Sequence, residues 1–202
     1  MSFFRYFFLA AALSLAGCAS LTQPPTPIDA EAQARHLRNL EQIGAFSLSG
    51  RMAVQTEKRG FAGSLRWKHT EEGDHFALYS PLGAQVADIK SNGDGVTLTT
   101  NDRKTYQANN AETLLQQTMG WSLPLTGLSD WIIGRPTSSA YEVVARDARG
   151  RLSRFKQDGW DIEYSAYQTV EGTDLPSKVL LRSPQLDLKL LVDQWGTLAR
   201  EP

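Results

Sequence analysis

Two groups of side chains have the types and spacing to do chemistry. Cys18, the only cysteine among 202 residues, closes the run Leu15-Ala16-Gly17-Cys18. His69, Glu71, Glu72, Asp74 and His75 crowd into one short stretch, a donor set that suits a metal ion. That stretch lies between two strand-like patterns, and its Glu71-Glu72-Gly73-Asp74 is turn chemistry, so a solvated hairpin turn is the better reading. Asp161 and Glu163 share a strand face at period two, as wet surfaces do. Asp187, Asp193, Arg51, Arg66 and Lys68 fit outward strand positions in the same way. No G-x-S-x-G, phosphate-cradling glycine loop or H-E-x-x-H occurs. A single cysteine rules out an internal disulfide and a Cys-rich cluster. The expectation is no enzyme, no metal and no cofactor.

Cys18 is different because of what precedes it. Arg5 supplies positive charge, Tyr6 to Leu15 an apolar run, and small residues follow, in the order of a secretory leader. Phe3–Gly17 is too short for a comfortable bilayer span. Leu15, Ala16, Gly17 and Cys18 resemble the bacterial lipobox. That resemblance implies a signal peptide over 1–17, removed after a diacylglyceryl group joins the Cys18 thiol, with the new amine then acylated. Residues 18–27 then form the lipidated cysteine and a tether, and 28–202 a single domain. Pro24, Pro25 and Pro27 make the tether extended, able to hold a domain roughly 25–30 Å from the headgroups. One acyl chain anchors marginally, whereas two or more hold firmly. Ala19 follows the cysteine where aspartate would favour inner-membrane retention, so the resemblance points to the outer membrane.

The elements needed to position these residues follow from periodicity. Hydrophobic residues make up 41%, charged residues 21%, and the net charge is −1, which excludes a basic nucleic-acid footprint and a disordered chain. Ile28–Gln42 reads as an amphipathic helix. After Gly44 the period becomes two: Phe46, Leu48, Gly50, Met52 and Val54 face one way, as do Phe61, Gly63, Leu65 and Trp67. Further strands start at Phe76 and Val96, with late ones at Lys178–Arg182 and Leu186–Val192, and Asp158-Gly159 marks a hairpin. Asn109 with Glu112 resembles a capping box, and Leu128–Ile133 forms a second helix stopped by Gly134 and Pro136. The fold class is mainly β with helices (α+β). It is one antiparallel sheet of many short strands, strongly curved or part-closed, with short helices against it.

Several segments together resemble the LolB family of outer-membrane lipoprotein receptors: Leu-Arg-Trp at 65–67, Ser-Pro-Leu-Gly at 80–83, Leu-Ser-Asp-Trp-Ile-Ile-Gly-Arg-Pro at 128–136, Gly-Trp-Asp-Ile-Glu-Tyr at 159–164, and Leu-Lys-Leu to Trp at 188–195. The resemblance implies a part-closed antiparallel barrel with a helical lid and a hydrophobic cavity. It implies a protein lipid-anchored in the outer membrane and facing the periplasm, and the expectation is a monomer, although the sequence does not fix the oligomeric state. There it takes acylated lipoproteins from the periplasmic carrier LolA and inserts them into the outer membrane without nucleotide. A protruding loop with an exposed leucine serves the insertion step in that family, and Pro81, Leu82 and Gly83 match it. Trp67, Trp131, Trp160 and Trp195, with Phe46, Leu48, Met52, Leu65, Phe76 and Leu78, are candidates to line the acyl cavity. The rival readings are a structural outer-membrane lipoprotein that scaffolds a partner complex without a cavity, and an undetected hydrolase.

Overall fold

A computed structural model describes residues 30–122 and 124–200. The lipobox (Leu15, Ala16, Gly17, Cys18), the leader, the tether and the first two residues of the expected Ile28–Gln42 helix lie outside the described residues. Helix α1 spans Ala30–Glu41. Eleven strands follow in one antiparallel sheet: β1 Ile43–Gln55, β2 Gly60–Thr70, β3 Gly73–Tyr79, β4 Gln85–Asn92, β5 Gly95–Thr100, β6 Thr105–Ala108, β7 Tyr141–Arg146, β8 Leu152–Gln157, β9 Trp160–Val170, β10 Thr173–Arg182 and β11 Asp187–Arg200. Between β6 and β7 come α2, Ala111–Met119, and α3, Leu125–Ile132.

The spatial order is β6-β5-β4-β3-β2-β1-β11-β10-β9-β8-β7. Two meanders are thus joined where β1 meets β11. Strands β6 and β7 end the sheet without pairing to each other, so the barrel is part-closed, as expected. The same chain segment that separates these edges in sequence carries both α2 and α3. The helices therefore belong to the link across the open side.

Alternation decides which face is buried. Phe46, Leu48, Gly50, Met52 and Val54 are all buried, and their outward neighbours from Arg51 onward are exposed. Gly50 sits where β1 bulges against β11, and a Cβ there would lie 2.1 Å from the Leu191 carbonyl oxygen. Only a glycine lets the strands approach so closely while the sheet bends. Asp158 and Gly159 both take positive φ, 50° and 80°, giving the tight hairpin expected between β8 and β9. The buried apolar residues form one contiguous cluster drawing on nine strands and all three helices.

Several boundaries differ from the sequence expectation. The capping residue of α2 is Asn110, not Asn109: its side chain accepts from the Thr113 N–H at 2.8 Å. Helix α3 starts three residues earlier than Leu128, directly after Pro124. Strands β10 and β11 are longer than their apolar cores, because β10 continues through a register shift around Pro176 and β11 wraps past Val192 to Arg200. Strand β7 carries no alternating signal, being exposed along nearly its whole length as a sheet edge.

His36 on α1 faces Asp147, Arg151 and Asp174. Burial holds its imidazole below the ordinary value of 6.5, with Asp174 pulling the other way. The folded value is thus lower than the unfolded one. Its stabilising contribution is complete above the unfolded value and lost as pH falls through the folded one. Urea midpoints measured at about pH 8 and about pH 5 are expected to differ less in His36→Gln than in the parent.

Candidate functional site

The site candidates are two: the apolar interior between sheet and helices, and the β3–β4 turn. In the interior, the sheet contributes an aromatic cluster. Phe46 meets the edge of Trp67 at 5.1 Å and of Trp195 at 5.6 Å, and Trp67 packs on Phe76 at 4.7 Å. Leu48, Met52, Leu65 and Leu78 are buried on the same face. The indole N–H of Trp67 donates to Asp74 at 2.7 Å, and the same carboxylate oxygen lies 2.8 Å from His69 Nδ1. Trp195 differs: its indole N–H is buried without a hydrogen-bond partner, the one such side-chain atom among the described residues.

The helices close the interior from the open side. Leu114 and Leu115 of α2, and Leu125, Leu128, Trp131 and Ile132 of α3, are buried against it. The C-terminal end of α3 is held by polar bonds. Trp131 Nε1 donates to Gln157 Oε1 at 2.8 Å, and the Tyr164 hydroxyl donates to the Trp131 carbonyl at 2.6 Å. Arg135 donates from Nε to Asp130 at 2.7 Å and from its guanidinium to the Leu40 and Glu41 carbonyls, tying this corner to the end of α1. The N-terminal end of α3, at Pro124, has no side-chain cap. Burial raises the Tyr164 phenol well above its ordinary value, so it stays a donor across all accessible pH.

The candidate lining residues other than Trp160 are buried in this interior and belong to its apolar cluster. Trp160 is only half-buried and lies 6.4 Å from Trp131. Beyond the end of α2, Trp121 stacks with Phe61 at 6.5 Å, and both line a 440 Å³ cleft with Arg59, Ala87, Asn101 and Met119. Gln157 escaped the sequence reading. Its signal was there: it stands two residues after buried Phe155, on the inward face of β8.

The turn between β3 and β4 is built to hold a side chain outward. Ser80 N–H donates to the Ala84 carbonyl at 2.8 Å, Gly83 N–H to the Ser80 carbonyl at 2.9 Å, and Ala84 N–H to Ser80 Oγ at 3.2 Å. Gly83 takes φ 84°, which a residue with a Cβ resists. Pro81 fixes the entry, and Leu82 is left 97% exposed.

Most of the polar groups weighed as chemistry are engaged in pairs. His69 meets Asp74, but His75 meets Asp88 at 2.8 Å on the opposite face of the sheet. Asp161 pairs with Arg154, Glu163 with Arg182 and Asp193 with Arg51. No group of three or more metal-ligating side chains occurs among the described residues.

The family model described as "Outer membrane lipoprotein LolB" matches residues 44–195, from the start of β1 to Trp195. The chain belongs to the LolB family. An outer-membrane lipoprotein LolB of Nitrosococcus oceani is 38% identical over 93% of this chain and 94% of its own length. One from Pseudomonas paraeruginosa is 32% identical over 95% of each. The crystal structure of a LolA superfamily protein from Nitrosomonas europaea shares the fold, with a TM-score of 0.50 at 11% identity over 84% of this chain and 94% of that one. As a LolB-family member, the protein is a lipid-anchored lipoprotein of the outer membrane that faces the periplasm and serves as a lipoprotein-localisation receptor.

Proposed function

We propose that this receptor accepts the acyl chains of a lipoprotein from a LolA-type periplasmic carrier into its apolar interior and releases them into the outer membrane. Cys18 is its lipidated anchor, and Leu82 serves the insertion step. The observation that supports this most is the way the interior is closed. On one side it is bounded by strands, but on the other by two short helices and not by pairing of β6 with β7. Moving those helices breaks no sheet hydrogen bond. The uncapped N-terminal end of α3 is the natural part to lift, while Gln157, Tyr164 and Arg135 hold the other end. Trp195 then offers its unpaired N–H to the carbonyl at the root of an acyl chain, which would relieve a buried donor that costs about 1–3 kcal/mol unpaired.

The energetics call for a hand-over between enclosures. Each methylene taken from water into an apolar site is worth ~0.8 kcal/mol, so three chains of roughly fifteen methylenes would cost on the order of 35 kcal/mol to pass through water. Exchange of one apolar enclosure for another removes most of that barrier, and no covalent bond or nucleotide is needed. Direction follows from differential affinity among carrier, receptor and bilayer.

The test is to mix residues 30–200 with carrier loaded by a labelled lipoprotein, without nucleotide. Label is expected to move to the receptor. If it stays on the carrier while the receptor is folded, the transfer reading fails. The rival scaffold without a cavity predicts that outcome.

A further inference from the structure

The turn that presents Leu82 has neighbours on both sides. Because the strands run antiparallel in the order β6-β5-β4-β3-β2-β1, the β1–β2, β3–β4 and β5–β6 turns all emerge at one end of the sheet. The 440 Å³ cleft confirms their proximity, since Arg59 of the first turn and Asn101 of the third both line it. The first turn carries Glu57, Lys58 and Arg59, and the third carries Asp102, Arg103 and Lys104. Both are exposed and fastened by their own backbones. Thr56 N–H donates to the Arg59 carbonyl at 2.8 Å, and Thr100 N–H to the Lys104 carbonyl at 3.0 Å. Four cations thus stand against two anions. Lys104 is spent on Asp102 at 2.8 Å, leaving Lys58, Arg59 and Arg103 without an ion pair among the described residues.

The other end of the same strands has the opposite sign. The β2–β3 turn holds Glu71 and Glu72, the β4–β5 turn holds Asp94, and the first turn of α2 holds Glu112, with no lysine or arginine in those three segments. This half of the sheet is therefore polarised along its strands, cationic where Leu82 projects and anionic where it does not.

We infer that the Leu82 end docks onto the phosphate-bearing surface of an anionic phospholipid bilayer, with Lys58, Arg59 and Arg103 flanking the apolar tip. A lone leucine gives too little contact to hold a domain at a surface, and lone surface cations are screened at physiological salt. Combined, they supply the two signals that stable interfacial binding requires. The anionic end is turned away from the lipid, which fixes the approach. This adds to the Leu82 role proposed above the chemical class of surface it meets, and it stands apart from whether acyl chains are taken from a carrier.

The experiment is co-sedimentation of residues 30–200 with vesicles of phosphatidylcholine alone and of phosphatidylcholine mixed with phosphatidylglycerol. Binding should be stronger on the mixed vesicles and fall as salt is raised. The double variant Lys58→Gln/Arg103→Gln should lose about tenfold in affinity for them. Both residues lie on exposed turns, and far-UV dichroism checks that the variant is folded. Equal binding to both vesicles, or a folded double variant that binds like the parent, overturns the inference. Label transfer from loaded carrier is measured in parallel. If the variant keeps vesicle binding but loses transfer, the cations serve a protein partner and the lipid assignment is wrong.

Discussion

Leu82→Glu is expected to leave acyl uptake and thermal stability unchanged while reducing delivery of lipoprotein into the membrane at least tenfold. The uptake half follows from position, since the Leu82 side chain projects from a turn at the end of the sheet, away from the interior. Stability should hold because a side chain 97% exposed has almost no packing to lose. The delivery half follows from transfer energies. Withdrawing a leucine from water contributes about 1.5–3 kcal/mol, a factor of roughly ten or more, and a carboxylate reverses the sign. Flotation of labelled lipoprotein with vesicles, beside carrier-to-receptor transfer in solution, separates the two. Equal loss in both assays would mean that the turn acts in uptake, and no loss in either would remove Leu82 from the mechanism.

Gln157→Leu is expected to be the most damaging conservative-sized change in the interior, lowering unfolding free energy by about 2–4 kcal/mol. Gln157 is 2% exposed and is bonded in several directions. Its Oε1 accepts from Trp131 Nε1 at 2.8 Å and from the Thr137 N–H at 2.9 Å. Its Nε2 donates to the Ser139 carbonyl at 2.8 Å. A leucine of similar volume leaves two donors stranded, and stranded buried donors cost more than the bonds contributed. Trp131→Phe with Gln157→Leu removes one donor and its acceptor together. It should recover part of the loss in a urea titration, whereas additivity of the two changes would show that the Trp131–Gln157 bond contributes nothing.

Much of this was legible in the sequence. Period-two alternation over Phe46–Val54 and Phe61–Trp67 picks out the inward face correctly, because these strands bury one side and wet the other. The Ser80–Gly83 run indicates a turn with an apolar tip. What escaped detection depended on tertiary partners. Strand β7 pairs along one edge only, so no hydrophobic period marks Tyr141–Arg146. Asn109 and Asn110 are equally good caps by type, and only the geometry at Thr113 selects the second. Gln157 looks like any polar strand residue until Trp131 arrives from a helix twenty-six positions earlier. The same alternation that finds the buried face is silent on whether its residues fill a core or wall a vacancy, since both demand the same apolar side chains.

The segment 109–140 leaves from one rim of the sheet and returns to the other. A flap with one attachment could swing clear, but this one is sewn to both sides of the slit it covers. In the transfer proposed above its excursion would be limited by its own slack, so the opening would act like a gusset, widening by degrees and unable to come away. The largest aperture is then set by how many residues the stitched piece contains. Inserting glycines after Trp121, which stacks on Phe61 of β2, should widen it and leave the pairing between strands unchanged.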